Sequence, residues 1–382
     1  MSLGGSSSSS PGAECGCLPS LLVQEALARD TNPLASCSSP CICVPASLTS
    51  DCSSSSEAPS SPPSSVLITN YNLSPNAELL RGPPGCVLPP LPTLFYRPGH
   101  HLTLSTADRL VAACGGATLD SPTTSCVVLQ GGQDGPAWRV TNRMPGLVGK
   151  RALAGTVTLD VGVYVIGGMY EEGSEFLPTR GTRWRSGPTA PKGARLRNCI
   201  VAVSSTSFLM IGGNAGSPLS LSIRQFEASG PDGPTANSGW KSDDTWPNTL
   251  RQARPYGHSC VRYGDRVFVV GSIRQGEEEK TTESIDLTTK IVSYGPKLVG
   301  GRRYLGLVTL GKEGDLRMLA FGGASSQGPR DTVEELGNSI NAWKILPEKL
   351  SRKNTGFEYT VLTADMEDSI CGGEQLCQII TC

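Results

Sequence analysis

Apolar residues along this chain come in short runs, and glycine stops each of them. The runs are "RLVAACGG" (Gly115, Gly116), "GVYVIGG" (Gly167, Gly168), "SFLMIGG" (Gly212, Gly213), "RVFVVGS" (Gly271, Ser272) and "RMLAFGG" (Gly322, Gly323). Short apolar runs bounded by Gly, Pro, Asn and Asp predict buried strands. No long segment carries a helical period; the best helical candidate, "SLLVQEALAR" at 20–29, lies outside the repeated region. Spacings between the first glycines are 52, 45, 59 and 51, and a further doublet, Gly372-Gly373, follows 50 residues after Gly322.

Each doublet has companions at steady offsets. A basic residue opens a strand 15 to 19 positions upstream: Arg151, Arg197, Arg254, Arg303. An aromatic lies downstream: Trp138, Trp184, Trp240, Tyr294, Trp343. Each unit then supplies an Arg-led strand, an inner strand ending in the doublet, a third strand and an aromatic-bearing fourth. Such a sheet cannot bury both faces alone, but it can when packed radially against copies of itself. The glycines serve the sharp turn where blades crowd, and the aromatics fill the wedge between blades. A unit near 50 residues with a glycine doublet and a late aromatic resembles the kelch repeat. The fold class expected is therefore all-β, a six-bladed kelch-type β-propeller over residues 65–370.

Five units, 95–145, 146–192, 193–249, 250–298 and 299–349, leave a fragment at each end. The piece 351–373 carries an Arg-led strand and a doublet, and 64–92 reads as a third and fourth strand. Together they predict a sixth blade shared by N- and C-terminal strands, a clasp against fraying of a large ring. Residues 1–64 form a Ser/Pro/Cys-rich tail expected to be disordered, and 371–382 a Cys-containing C-terminal tail.

The 14 cysteines crowd both ends. That placement reads best as disulfides in an oxidising compartment. The N-terminus as written lacks a basic n-region and a long apolar h-region, which favours the cytoplasm; an incomplete N-terminus would reconcile the two, and the reading leans extracellular. Cys114 and Cys126 sit where a hairpin brings residues within disulfide reach. Secreted invertebrate kelch proteins, which this chain resembles, carry a similar "CGG…SC", and that resemblance implies the pair. Cys199 and Cys260 occupy equivalent first-strand positions and are either bridged or buried thiols. Cys86 has no clear partner, and Cys371 meets Cys377 or Cys382. The "CGC" and "CSSPCIC" clusters do not match zinc-site spacing, so no metal is expected.

Net charge is −1, which offers no field for nucleic acid, and no apolar run is long enough to span a membrane. Three histidines, His100, His101 and His258, do not make the separated pair that a copper propeller needs. No G-x-S-x-G, H-E-x-x-H or P-loop string occurs. No enzyme activity and no cofactor are expected. Function then falls to the loops of a rigid monomeric propeller, which the kelch resemblance implies would bind a protein partner. Contact candidates are Tyr170, Glu171, Glu172, Trp246, Arg254, Tyr256, Glu277, Glu278 and Arg303. The recurring arginines read either as a basic ring for acidic peptides or as one structural Arg per blade; the second is favoured. An alternative is an intracellular kelch-type adaptor for ubiquitin-ligase substrates or the cytoskeleton, lacking its own BTB region.

Overall fold

The computed structural model describes residues 63–371, apart from 70–75, 93–96, 118–122, 133, 169–172, 188, 190–198, 214–220, 229–238, 242–244, 247–248, 256, 275–276, 313 and 338–340; at 63, 97–101, 117, 274, 277 and 278 only the backbone is described. Residues Ser61–Gly373 form one compact unit. Both tails, with Gly372-Gly373, Cys377 and Cys382, lie outside the described residues.

Six antiparallel sheets form the blades of the unit, and a two-stranded hairpin, Ile273–Arg274 with Glu277–Glu278, stands beside them. Blade 1 comprises Arg97–Ser105, Val111–Ala117, Cys126–Gln130 and Ala137–Arg139. Blade 2 comprises Gly155–Leu159, Gly162–Ile166, Ser174–Pro178 and Arg185–Ser186. Blade 3 comprises Cys199–Ala202, Ser207–Ile211, Ile223–Glu227 and Gly239–Trp240. Blade 4 comprises Ser259–Tyr263, Arg266–Val270, Thr282–Asp286 and Val292–Tyr294, and blade 5 Gly306–Leu310, Arg317–Phe321, Gly328–Leu336 and Lys344–Asn354. The order within each is sequential, so the chain walks outward from first strand to fourth. First strands line the central channel. The doublet strands, expected innermost, are second from the centre. They are buried on both faces, as Gly162–Ile166 and Ser207–Ile211 show, which is why they read as unbroken apolar runs.

Blade 6 closes differently from the expectation. The C-terminal side supplies one strand, Glu358–Thr363, and the N-terminal side supplies the second and third, Pro63–Thr69 and Ala77–Leu80. The second-strand place is thus taken by "PSSVLIT", whose Val66, Leu67 and Ile68 are fully buried. The stretch expected to carry a doublet strand is instead a helix, Ala364–Cys371. Met366 and Ile370, four residues apart, bury one face, and Asp365 and Glu367 suit the positive N-terminal end. Arg352 lies in the fourth strand of blade 5, not at the head of blade 6.

Glycine is required at the doublets. φ is positive at Gly115, Gly116, Gly167, Gly168, Gly212, Gly213, Gly271, Gly322 and Gly323, and at Ser272 where the second glycine is replaced. A Cβ on Gly115 would sit 2.6 Å from the Arg151 carbonyl, and one on Gly271 2.6 Å from that of Arg302. The reason for the crowding is a repeated brace. Arg151, Arg254 and Arg302 are buried, and each Nη1 donates to the first glycine's carbonyl of its own blade: Gly167 (2.7 Å), Gly271 and Gly322 (3.0 Å). Each backbone carbonyl in turn accepts from the doublet of the preceding blade: Gly116 N (2.7 Å), Gly213 N (3.1 Å) and Ser272 N (3.3 Å). The charge is matched by a glutamate on the third strand: Glu175, Glu283 and Glu334. Those carboxylates also accept backbone amides of the chain arriving from the blade before, as Glu334 does from Val299 (2.8 Å) and Gly300 (3.2 Å). Arg302, not Arg303, is therefore the structural arginine of blade 5.

Wedges between blades hold the aromatics. Trp138, Trp184 and Trp343 donate their indole N–H to the carbonyls of Pro89, Pro145 and Pro296 at the end of the preceding blade. Trp240 packs against Phe208 and Phe226. Tyr294 departs from the pattern: it is 56% exposed. Val292 holds the tryptophan register, opposite Ile285 as Trp138 is opposite Leu129, and Trp246 joins Val292 in that wedge.

Three disulfides brace the described residues. Cys114–Cys126 crosses the hairpin of blade 1. Cys199–Cys260 joins the first strands of blades 3 and 4. Cys86, expected without a partner, bonds Cys371, which was expected to meet Cys377 or Cys382; the bond spans 285 residues. It fastens the end of the N-terminal strand pair to the C-terminal helix.

Two outcomes test this construction. Chain-entropy stabilisation grows with the loop closed, roughly 3 kcal/mol for a short loop and on the order of 5 kcal/mol for one of several hundred residues. Replacing Cys86 and Cys371 together by serine should therefore lower the thermal midpoint by more than the same change at Cys114 and Cys126, a comparison calorimetry settles. Glu334→Ala leaves Arg302 buried without its counter-charge and should cost about 3–5 kcal/mol in denaturant unfolding. The pair Arg302→Met with Glu334→Leu should recover part of that loss.

Candidate functional site

The central channel has a volume of ≈ 630 Å³ and is walled by the first strands of all six blades. Its chemistry is set by short side chains: Thr103, Thr156, Thr158, Thr309 and Thr360 alternate with aliphatic residues. Hydroxyls tie neighbouring blades across the wall. Thr309 donates to the carbonyl of Arg262 (2.8 Å), and Thr360 to Ser105 Oγ (3.1 Å).

At one mouth the chain turns from each blade into the next first strand through a left-handed residue. Leu153, Gly257, Tyr304 and Gly356 have φ of 57°, 75°, 54° and 63°. Three of them are linked in series: Tyr304 N donates to Gly257 O (2.7 Å) and Gly356 N to Tyr304 O (3.2 Å). A Cβ on Gly257 would meet the Tyr304 ring at 3.2 Å, so glycine there lets the aromatic ring lie against the backbone. A bulky residue such as Tyr304 held left-handed is strained, and the two backbone bonds hold it.

His258 follows Gly257. It is buried, and its Nε2–H donates to Ile211 O at 2.9 Å, while Nδ1 has no partner among the described residues. Burial lowers its pKa to about 4, and the nearby positive charge of Arg254 adds to the effect. The imidazole is thus neutral with its proton committed to a carbonyl. Burial likewise raises the Tyr359 hydroxyl above its ordinary range. The Cys199–Cys260 bond lies in this wall too.

The contact candidates are not brought together. Tyr170, Glu171, Glu172 and Tyr256 lie outside the described residues. Arg254 is fully buried in its brace, so it is unavailable to a partner. Trp246 is buried as well, its indole donating to Gln225 Oε1 at 3.0 Å and Lys290 Nζ lying 5.5 Å from its ring centroid. Glu277-Glu278 pair with Ile273-Arg274 in a small hairpin outside the main sheet. Arg303 forms a bridge with Ala324.

Sequence reasoning missed the brace carboxylates. Their signal was present: a glutamate recurring in the third strand, in "SEF", "TES" and "VEE", 24, 29 and 32 residues after the arginine.

No family model matches the chain, and no curated protein matches it. Among solved structures, that of YjhT is similar, with a TM-score of 0.53 at 13% identity over 76% of this chain and 99% of that one. A likeness at that identity speaks for the six-bladed propeller architecture alone.

His258 generates a pH dependence. The unfolded chain takes up a proton near pH 6.5 and the folded one only near 4. Stability is therefore flat above 6.5 and falls as pH drops through that window, by roughly 3 kcal/mol. Urea unfolding at pH 7.5 and 4.5 should show the drop, and His258→Gln should flatten it.

Proposed function

We propose that this protein is a non-catalytic, extracellular binding scaffold of kelch type whose loops take up a protein partner. The observation that carries the reading is the rigidity at the root of its longest insertion. The insertion lies between the third strand of blade 3, which ends at Glu227, and the fourth, Gly239–Trp240, from which the chain runs on to the first strand of blade 4 at Ser259. Trp240 packs on Phe226 at one end of the insertion, and just beyond it Trp246 is anchored in the wedge, with Lys290 Nζ donating to Thr245 O at 2.7 Å. A loop on a fixed root loses less conformational freedom on binding, which favours affinity. The buried arginines and glutamates are spent on the ring itself, which leaves recognition to the loops. Three disulfides support an oxidising compartment and weigh against the intracellular adaptor alternative.

The test replaces residues 229–238 by a Gly/Ser sequence of equal length in the oxidised full chain, with a photo-cross-linker next to the insertion. The expected result is one protein partner, competed away by unlabelled protein, lost in the variant while the thermal midpoint is unchanged. Absence of any competable partner in the parent protein would remove the scaffold reading; retention in the variant would move the contact to another loop.

A further inference from the structure

The arginine–glutamate brace is not carried all the way round the ring. Its glutamate faces the residue two places before the doublet: Val165 faces Glu175, Val269 faces Glu283 and Ala320 faces Glu334. In blade 1 the same register sets Val127 opposite Ala113. Blade 6 keeps the glutamate, with Glu78 opposite Ile68, but changes its partner. In the three braces the arginine stands three residues beyond the first amide that the carboxylate accepts: Arg151 after Val148, Arg254 after Arg251, Arg302 after Val299. Glu78 accepts Ser351 N at 2.9 Å, and three residues beyond Ser351 stands Asn354. The Asn354 amide oxygen turns back to accept Thr355 N (3.0 Å), and Glu78 Oε1 is buried without a hydrogen-bond partner among the described residues. Both flanks of blade 6 thus go without the pair: toward blade 5 an asparagine replaces the arginine, and toward blade 1 a valine replaces the glutamate.

A covalent fastening stands at this blade instead. The helix Ala364–Cys371 continues its first strand and lays Met366 and Ile370 among Leu67 of blade 6 and Val111 and Leu129 of blade 1. A helix of eight residues is too short to hold itself together in water. Its polar ties are the ion pair of Arg109 with Asp365, whose side chains are 48% and 39% exposed, and a bond from Ser64 Oγ to Glu367. An ion pair that exposed adds little. The Cys86–Cys371 bond pins the last residue of the helix to the stretch that follows the N-terminal strand pair. Both of its cysteines are partly exposed, whereas Cys114 and Cys126 are buried. A reductant in solution therefore reaches Cys86–Cys371 before the hairpin bond of blade 1. Cys199–Cys260 joins blades 3 and 4, which the Arg254 carbonyl already holds through Gly213 N.

We propose that Cys86–Cys371 is a redox clasp. A dithiol reductant opens it, the C-terminal helix leaves the flank shared by blades 6 and 1, and blade 6 loosens while blades 2, 4 and 5 keep their ion-pair braces. A thiolate of the dithiol attacks one sulfur of the bond and expels the other as a thiolate. The second thiol of the dithiol then resolves the mixed disulfide. Two electrons pass to the protein, which takes up two protons and ends with thiols at Cys86 and Cys371, and the dithiol ends as a disulfide. Departure of the helix uncovers Leu67, Leu88 and Leu129, which the closed ring buries. The oxidation state of one bond thus decides whether the ring is closed at the blade that both ends of the chain build.

The experiment titrates the oxidised full chain with dithiothreitol, reads opened cysteines by alkylation and mass spectrometry, and measures amide hydrogen exchange on the same samples. Cys86 and Cys371 should be alkylated before Cys114 and Cys126. At that stage exchange should rise roughly tenfold or more in Ala364–Cys371 and Ala77–Leu80 and stay unchanged in Gly162–Ile166 and Arg266–Val270. The variant Cys86→Ser/Cys371→Ser should show the same local rise without reductant. Asn354→Arg sets an arginine opposite Glu78 and should suppress the rise in Ala77–Leu80; the other measurements decide the matter without it if that variant fails to fold. Opening of Cys114–Cys126 first, an even rise over all six blades, no rise in blade 6, or a rise that folded Asn354→Arg leaves unchanged would each overturn the proposal. The insertion of blade 3 takes no part in the clasp, so failure here leaves the scaffold reading untouched.

Discussion

A guanidinium without water must have its charge and its five N–H groups answered by the protein, and that demand organises the ring. At Arg151, Arg254 and Arg302 the answer comes from both sides: a glutamate and a glycine carbonyl within the blade, while the arginine's own carbonyl holds the doublet of the blade before. Each brace therefore fixes an angle between neighbours as well as a turn within one sheet. Buried ion pairs are weak sources of net stability and strong sources of penalty when broken. The brace acts chiefly by making misplaced blades costly. The first glycines Gly115, Gly212 and Gly271 follow from it, since a side chain there would strike the carbonyl of the brace arginine.

Much of this was legible because propeller geometry repeats, and repetition shows in a single sequence. The spacing of the doublets, the alternation of buried strands and the tryptophans each reported the same unit. What failed to show was whatever is not periodic. Tyr294 occupied the expected offset, but a connection two residues shorter between the third and fourth strands of blade 4 put Val292 in the wedge and left the tyrosine outside. "ADMEDSIC" resembled a doublet strand only through its following glycines; its Met366 and Ile370 have a helix's spacing. The pairing of Cys86 with Cys371 depends on how the ring closes, and local sequence holds no record of a contact between its two ends.

The same contrast separates scaffold from function. Residues that recur from blade to blade, the arginines above all, are spent on structure, and their regularity marks them as such. The departures from the repeat stand out against that regularity: the long insertion of blade 3, followed by the anchored Trp246, and the extended, bulged hairpin of blade 5. The channel, walled by first strands and their threonines, is regular in this sense, and its one histidine commits its Nε2–H to the Ile211 carbonyl.

The shared blade also sets an order of events for a chain made from its N-terminus. Pro63–Thr69 is synthesised long before its neighbour, since the inner strand that covers its free edge begins with Glu358, 289 residues after Thr69. At 5–20 residues per second that is roughly 15 to 60 s of translation. Throughout that time a β-rich segment with Val66, Leu67 and Ile68 at its centre has at most one sheet neighbour. Newly made chains are thus exposed to intermolecular strand pairing until the last blade is complete, and only then can Cys86 find Cys371 and lock the circle.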